Sequence, residues 1–230
     1  MVLKHNNLSL AVLVLLGVGV THGVRAQTIV QTFTVPTGTT VPFTDNFTFN
    51  LFNSNLGTLN SVTLNLNASI VANVNIINIF GSPVTYVSTT ASVPASFSGP
   101  GGTSVSATVV AGPFAGTATG TITTLTGEPA SASALTTVPL GSISHYEGVG
   151  GGTGSLTGTM LSGTYTGGTT TPGAVGQVFF GGSATGGETL TLTYNYSQPS
   201  GAVPEPGTAT FLAAGVLGSL GIALRRRKKS

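Results

Sequence analysis

The stretch Ser61 to Ile70 alternates without a break: Val62, Leu64, Leu66, Ala68 and Ile70 fall on one face and polar residues on the other. Side chains of an extended chain point to opposite faces at successive residues, so this period of two describes a half-buried β-strand. The same period runs through Phe43 to Leu51, where Asp45 interrupts the apolar face, and through Leu190 to Tyr196. Helical spacing of apolar residues is absent between the two chain ends. Further strands are predicted at Thr28 to Val35, Val84 to Ser92, Thr103 to Val110, Gly116 to Leu125, Ser155 to Tyr165 and Val175 to Phe180, with glycine and proline between them. Near Ile76-Ile77 the alternation slips, and a β-bulge is expected there. The fold class that follows is all-β, a two-sheet antiparallel β-sandwich.

Charge narrows the possible functions. Charged residues make up 5% of the 230-residue chain, against about 25% in ordinary soluble domains. All seven Lys and Arg residues lie in the end segments, leaving Asp45, Glu128, Glu147 and Glu188 as the only formal charges between Gln27 and Pro204. A surface without cations cannot neutralise phosphates, so nucleic acid is excluded as a partner. Disorder is expected only in loops, because the chain is 40% hydrophobic and regularly patterned. With no cysteine there is no disulfide, and sheet packing must supply the stability.

The two ends carry the targeting information. Residues 1–26 have the layout of a secretory signal helix: Lys4, an apolar core from Leu8 to Val20, then Val24-Arg25-Ala26, with cleavage between Ala26 and Gln27. Residues 27–198 are the sandwich, and 199–206 form a linker ending in Val203-Pro204-Glu205-Pro206. An apolar run, 207–224, follows, and then a basic tail, 225–230, with Arg225, Arg226, Arg227, Lys228 and Lys229. The prolines hold the tetrad extended and keep it out of the following helix. At about 1.5 Å per helical residue the run reaches about 27 Å, enough for a single transmembrane helix. The cation cluster holds its far end in the cytoplasm.

On these residues the tail resembles the PEP-CTERM sorting signal of bacterial surface proteins. The resemblance implies that Val203, Pro204, Glu205 and Pro206 are recognised by exosortase, a membrane cysteine transpeptidase, and that the chain is cut nearby. The residues would then be substrate and not catalyst. The implied itinerary is a precursor held in the inner membrane, then the cell surface or the extracellular space. A second resemblance lies in Pro42-Phe43-Thr44-Asp45-Asn46-Phe47 and Asn55 to Leu64, which are similar to the N-terminal part of the choice-of-anchor E domain, an exported bacterial β-domain. It implies a sandwich at the cell surface and no particular activity.

Chemistry has little to draw on. A hydrolase triad would need His145 and Asp45, the only His and Asp between Gln27 and Pro204, and no Gly-x-Ser-x-Gly elbow accompanies them. A carboxylate pair would come from Asp45, Glu128, Glu147 and Glu188, which the sequence scatters. No metal-ligand cluster exists, and Asp45 reads as a turn residue sooner than a calcium ligand. The glycine-rich segment from Gly148 to Gly154 lacks the lysine of a phosphate loop. No enzyme activity, cofactor or metal is therefore expected. The expected role is structural or adhesive, in contact with exopolysaccharide. The alternative is a carbohydrate-binding module or a divergent secreted hydrolase. Tyr86, Tyr146, Tyr165 and Tyr194 discriminate: exposed in a line they would stack on sugars, whereas buried they favour a scaffold. Ice binding through Thr117, Thr119, Thr121 and Thr123 is a minor option without a repeat period behind it.

Overall fold

A computed structural model describes residues 26–198. The signal segment up to Arg25, the tetrad Val203 to Pro206, the membrane run and the basic cluster Arg225 to Lys229 lie outside the described residues. Among the described residues no helix is long and apolar enough to cross a membrane.

The chain is built of antiparallel sheets, as the alternation predicts. The strands are β1 (Ala26–Thr40), β2 (Phe43–Asn50), β3 (Phe52–Asn53), β4 (Thr58–Asn78), β5 (Val84–Ser98), β6 (Ser104–Ala118), β7 (Ile122–Thr137), β8 (Glu147–Gly148), β9 (Thr153–Met160), β10 (Thr164–Thr169) and β11 (Val178–Ser197). One sheet has the order β1-β11-β4-β7; the other runs β10-β5-β9-β2, with β6 paired to β5. A small parallel pair, β3 with β8, closes one corner through Phe52 and Glu147. Both sheets contribute to the main core, with Phe33 of β1 against Phe47 of β2 at 5.9 Å between ring centroids and Phe47 against Phe97 of β5 at 5.7 Å, and a smaller second cluster gathers Ile76, Val84, Tyr86, Ala118 and Ala174.

Strand β4 is the spine. Over 21 residues it buries every second side chain from Val62 to Ile76. A row of eight such side chains on one face has only one stable destination, the space between two sheets. The bulge expected at Ile76-Ile77 is not there. Ile76 points inward, Ile77 outward, and the buried Asn78 takes the next inward place, its amide donating to the Ser82 carbonyl at 2.9 Å. The register slips instead between Ala72 and Val74, where the Gly127 N–H of β7 donates to the Asn73 side chain at 3.0 Å.

Other boundaries differ for identifiable reasons. Gly116 to Leu125 is not one strand: Thr119 to Thr121 turn the chain from β6 into β7. Ser155 to Tyr165 is split into β9 and β10. Conversely, Val175 to Phe180 and Leu190 to Tyr196 belong to one 20-residue strand, β11, which starts at Val178. The glycines between them are sites of close approach. A Cβ at Gly182 would strike the Asn73 carbonyl, one at Gly186 the Met160 sulfur, and one at Gly187 the backbone of Pro36 and Thr37. Glycine therefore continues this strand where a side chain could not fit. Gly57, at φ +147°, does the same at the entry to β4, pressed on the Ser197 carbonyl.

Candidate functional site

The outer face of the β1-β11-β4-β7 sheet carries mostly neutral hydrogen-bonding groups, interrupted by Val30, Val71 and Leu135. Directly paired residues of antiparallel strands share a face, so the register lines up Thr34, Thr189, Asn67 and Ser133 across all four strands. The adjacent rows are Thr32, Thr191, Asn65 and Leu135, then Val30, Thr193, Thr63 and Thr137. Rows of this kind repeat at about 4.8 Å between strands and about 6.8 Å along them. Within the central row Thr34 and Thr189 join their hydroxyls at 3.3 Å. Asn67, Ser69, Ser131 and Ser133 make no side-chain hydrogen bond to another described residue, which leaves their donors and acceptors to solvent or a ligand.

Part of this face is concave. Strand β1 leaves its register between Val35 and Thr39, and the displaced Pro36-Thr37-Gly38 segment stands over Gly187 as a wall. The hollow beside it has a volume of about 600 Å³ and is lined by Thr34, Thr37, Asn67, Ser69, Ser131 and Ser133, among others. A second hollow of about 370 Å³ shares Thr37, Ser69 and Ser131 with the first and extends it towards Val71 and Pro129. Neither contains an aromatic ring. Glu188 borders the larger one, but its side chain turns into the core and is 2% exposed. The groove therefore offers hydroxyls and an amide to a ligand, without a formal charge or a stacking surface.

Behind that groove lies a feature that sequence spacing did not reveal. Asp45 is not a turn residue; it sits mid-strand on β2, on the inner face with Phe43, Phe47 and Phe49, opposite Gly158 of β9. Glu188 enters from the opposite sheet, and a Cβ on Gly158 would collide with its Oε1. Two of the four scattered acids thus face one another across the core, from strands far apart in sequence. Both Glu188 oxygens lack a hydrogen-bond partner, and no Lys or Arg exists between Gln27 and Pro204 to pair with them. Burial pushes the Glu188 carboxyl up to about 8, and the nearby negative charge of Asp45 pushes it in the same direction. Both effects favour the uncharged acid. Phe97 and Gly158 pack around Glu188, which is buried, whereas Asp45 is half-buried.

The remaining candidates stay apart. His145 lies near the end of the 3-10 helix Leu140–Tyr146, exposed and against Gly101. Glu128 is on β7 opposite Ala72, and Glu147 is on β8. No group of three or more metal-ligating side chains occurs among the described residues. Ala26 and Gln27, the expected cleavage pair, are the first residues of β1, paired with Ser197 and Tyr196 of β11. Thr117, Thr119, Thr121 and Thr123 straddle the β6-β7 turn and form no row.

The tyrosines face inward. Tyr146 and Tyr194 are fully buried, Tyr86 is 4% exposed, and Tyr165 is half-buried. The Tyr194 hydroxyl donates to the Asn50 carbonyl at 2.9 Å, and burial raises its pKa further beyond the ordinary phenol range. These rings are core anchors and give sugars no line of stacking platforms.

Residues 202–228 match the PEP-CTERM protein-sorting motif. Such signals are recognised by exosortase in the membrane, and they mark an exported protein that transits it. No curated protein matches the chain. Among solved structures, the chain is similar at 16% identity and a TM-score of 0.17 to one titled "Structure of infectious bursal disease virus Gt strain". The alignment covers 86% of this chain and 50% of that one, so the chain spans half of its length.

Proposed function

We propose that this chain is a non-catalytic structural or adhesive protein of the cell surface or extracellular matrix, whose sheet domain contacts neutral exopolysaccharide and whose tail is processed by exosortase. The observation that carries the reading is the groove on the outer sheet face. It presents Asn67, Ser69, Ser131 and Ser133 to solvent, with no formal charge on the lining side chains that face outward. A polyhydroxylated, uncharged polymer matches such a surface group for group, because each sugar hydroxyl can both donate and accept. Without aromatic stacking each contact is weak, so retention would come from many contacts along a polymer. This is matrix adhesion in character, unlike the tight capture of a small sugar. Burial of the tyrosines weighs in the same direction, against a carbohydrate-binding module that stacks rings on sugars. The burial of the Glu188 side chain in the core, with both oxygens unpartnered, weighs against hydrolysis.

The likeness of Pro42 to Phe47 and Asn55 to Leu64 to the choice-of-anchor E domain fits a surface role. Those segments form the entry to β2 and the turn into β4, so they carry the frame of the sandwich and not the groove. On this reading the signal peptide is removed before Gln27. The membrane run then holds the precursor while Val203, Pro204, Glu205 and Pro206 are presented to the transpeptidase.

Mass spectrometry of the C-terminus, in cells with and without exosortase activity, tests the processing. The expected result is a chain ending near Pro204 to Pro206 in the first case and an intact tail through Ser230 in the second. An intact tail in both would remove the sorting half of the proposal, and Pro204→Ala would then leave localisation unchanged.

A further inference from the structure

We infer that one proton governs the groove: with Glu188 protonated the Pro36-Thr37-Gly38 wall sits on Gly187, and with Glu188 ionised the wall lifts away and the groove opens.

A buried acid without partners calls for a physical account. Glu188 is 2% exposed, and neither of its carboxyl oxygens has a hydrogen-bond partner. A protonated carboxyl tolerates such a place far better than a carboxylate, because only the carboxylate brings an unpaired charge out of water. The groups around it offer no relief. On its own sheet the neighbours are Val35 of β1 and Ala68 of β4. From the opposite sheet come Phe97 of β5, Gly158 of β9 and, paired with Gly158, Asp45 of β2. Asp45 is the one titratable group among them, and its charge repels a second one. An ionised Glu188 can therefore be stabilised only by water.

The strand pairing determines where water enters. Strand β2 is paired with β9 without a break from Phe43 to Asn50, and β1 is paired with β11 from Ala26 to Val35. Val35 is the partner of Glu188 and the last residue before the register is lost; pairing resumes at Thr39 with Gly186. Pro36, Thr37 and Gly38 thus lie opposite Gly187 alone, out of register with β11. The Thr39 hydroxyl donates to the Pro36 carbonyl at 2.8 Å, which closes the bulge on itself. A segment held in this way can move while the strands on either side stay paired. It is also the segment that borders both hollows, through Thr37.

The sign follows from which form the seated wall keeps. Burial and the Asp45 charge push the Glu188 carboxyl up to about 8, from 4.5 where it meets water, so the seated wall binds the proton more tightly than the lifted one. Rising pH therefore favours lifting, with a midpoint between 4.5 and about 8. The movement of the wall is independent of any ligand. Its effect on polysaccharide, retention at acid pH and release as pH rises, rests on the groove being the polysaccharide site.

The chain contains no cysteine, so an introduced thiol carries a label at one place only. An environment-sensitive fluorophore is attached to Thr37→Cys in the released mature protein, with Thr108→Cys on the exposed side of β6 as control. Its emission is followed from acid pH to above about 8. The expected result is a reversible step at the wall, none at β6, and loss of the step when Glu188→Gln is added. In gels containing neutral exopolysaccharide, retardation of the unlabelled protein should fall several-fold through the same step and stay constant in Glu188→Gln. No step at the wall, the same step at β6, or a step that survives Glu188→Gln would overturn the inference. A step at the wall without retardation at any pH would support it and remove polysaccharide as the ligand.

Discussion

Where β1 meets β2, the inward side chains Phe33, Val35, Phe47 and Phe49 are at most 5% exposed; along β7, the inward Ala130, Ala132 and Ala134 are only half-buried. The same two sheets therefore end in a closed flank on one side and an unfinished flank on the other. The closed flank uses aromatic rings, the strap of Gln31 to Asn50 and the bulge over Gly187. It also encloses the one buried carboxyl. The open flank uses small side chains, and among the described residues its edge strand β7 pairs with β4 alone. Closure by large rings is a stability device, whereas small residues beside free backbone groups suit an approaching neighbour. The contrast places the tightest packing at one flank, while the groove spans both, from Thr37 of β1 to Ser133 of β7.

The largest expected effect lies in the closed flank. Phe47→Ala removes a ring packed between Phe33 and Phe97 and should cost about 3–5 kcal/mol of unfolding free energy, read from denaturant melts. A loss below about 1 kcal/mol would mean that this flank is not closed as described.

An effect of comparable size comes from Glu188. Its carboxyl lies near the ordinary value of 4.5 in the unfolded chain and about 8 in the folded one, so between those values the folded state holds the extra proton. Stability should therefore be highest at acid pH, fall as pH rises from 4.5 to about 8, and level off above. Glu188→Gln keeps the size, removes the titration and should flatten the profile. An equally steep profile in that variant would place the titrating group elsewhere.

The smallest effect belongs to the open flank. Ala132→Val adds two methyl groups where the inner face still meets solvent, and should change stability by less than about 1 kcal/mol. A cost approaching that of Phe47→Ala would erase the distinction between the flanks.

Much of this frame is legible in the residues themselves. Val62 to Ile70 alternates because one face is buried for the whole length of β4, and the expectation of an all-β chain rests on that. Strand ends are less legible. Thr117 to Thr123 alternates as smoothly as a strand, yet the chain turns between Ala118 and Ile122. The glycines from Gly181 to Gly187 look like a break, although Gly182, Gly186 and Gly187 are places where neighbouring atoms leave no room for a side chain on β11. Neither the groove nor the Asp45–Glu188 pair can be read in advance, since both depend on register between strands distant in sequence. Thr189, Thr191 and Thr193 are visible as a polar face, but only their pairing with Asn67, Asn65 and Thr63 shows that the face is continuous.

The central claim is that the outer sheet face holds neutral polysaccharide. Affinity electrophoresis of the released mature protein, through gels containing neutral exopolysaccharide from the producing cells, addresses it directly. Clear retardation of the native protein is expected, and several-fold weaker retardation when Asn67, Ser69 and Ser131 are all replaced by alanine with the melting profile unchanged. Equal mobility with and without polysaccharide, or retardation that survives those three substitutions, would contradict it.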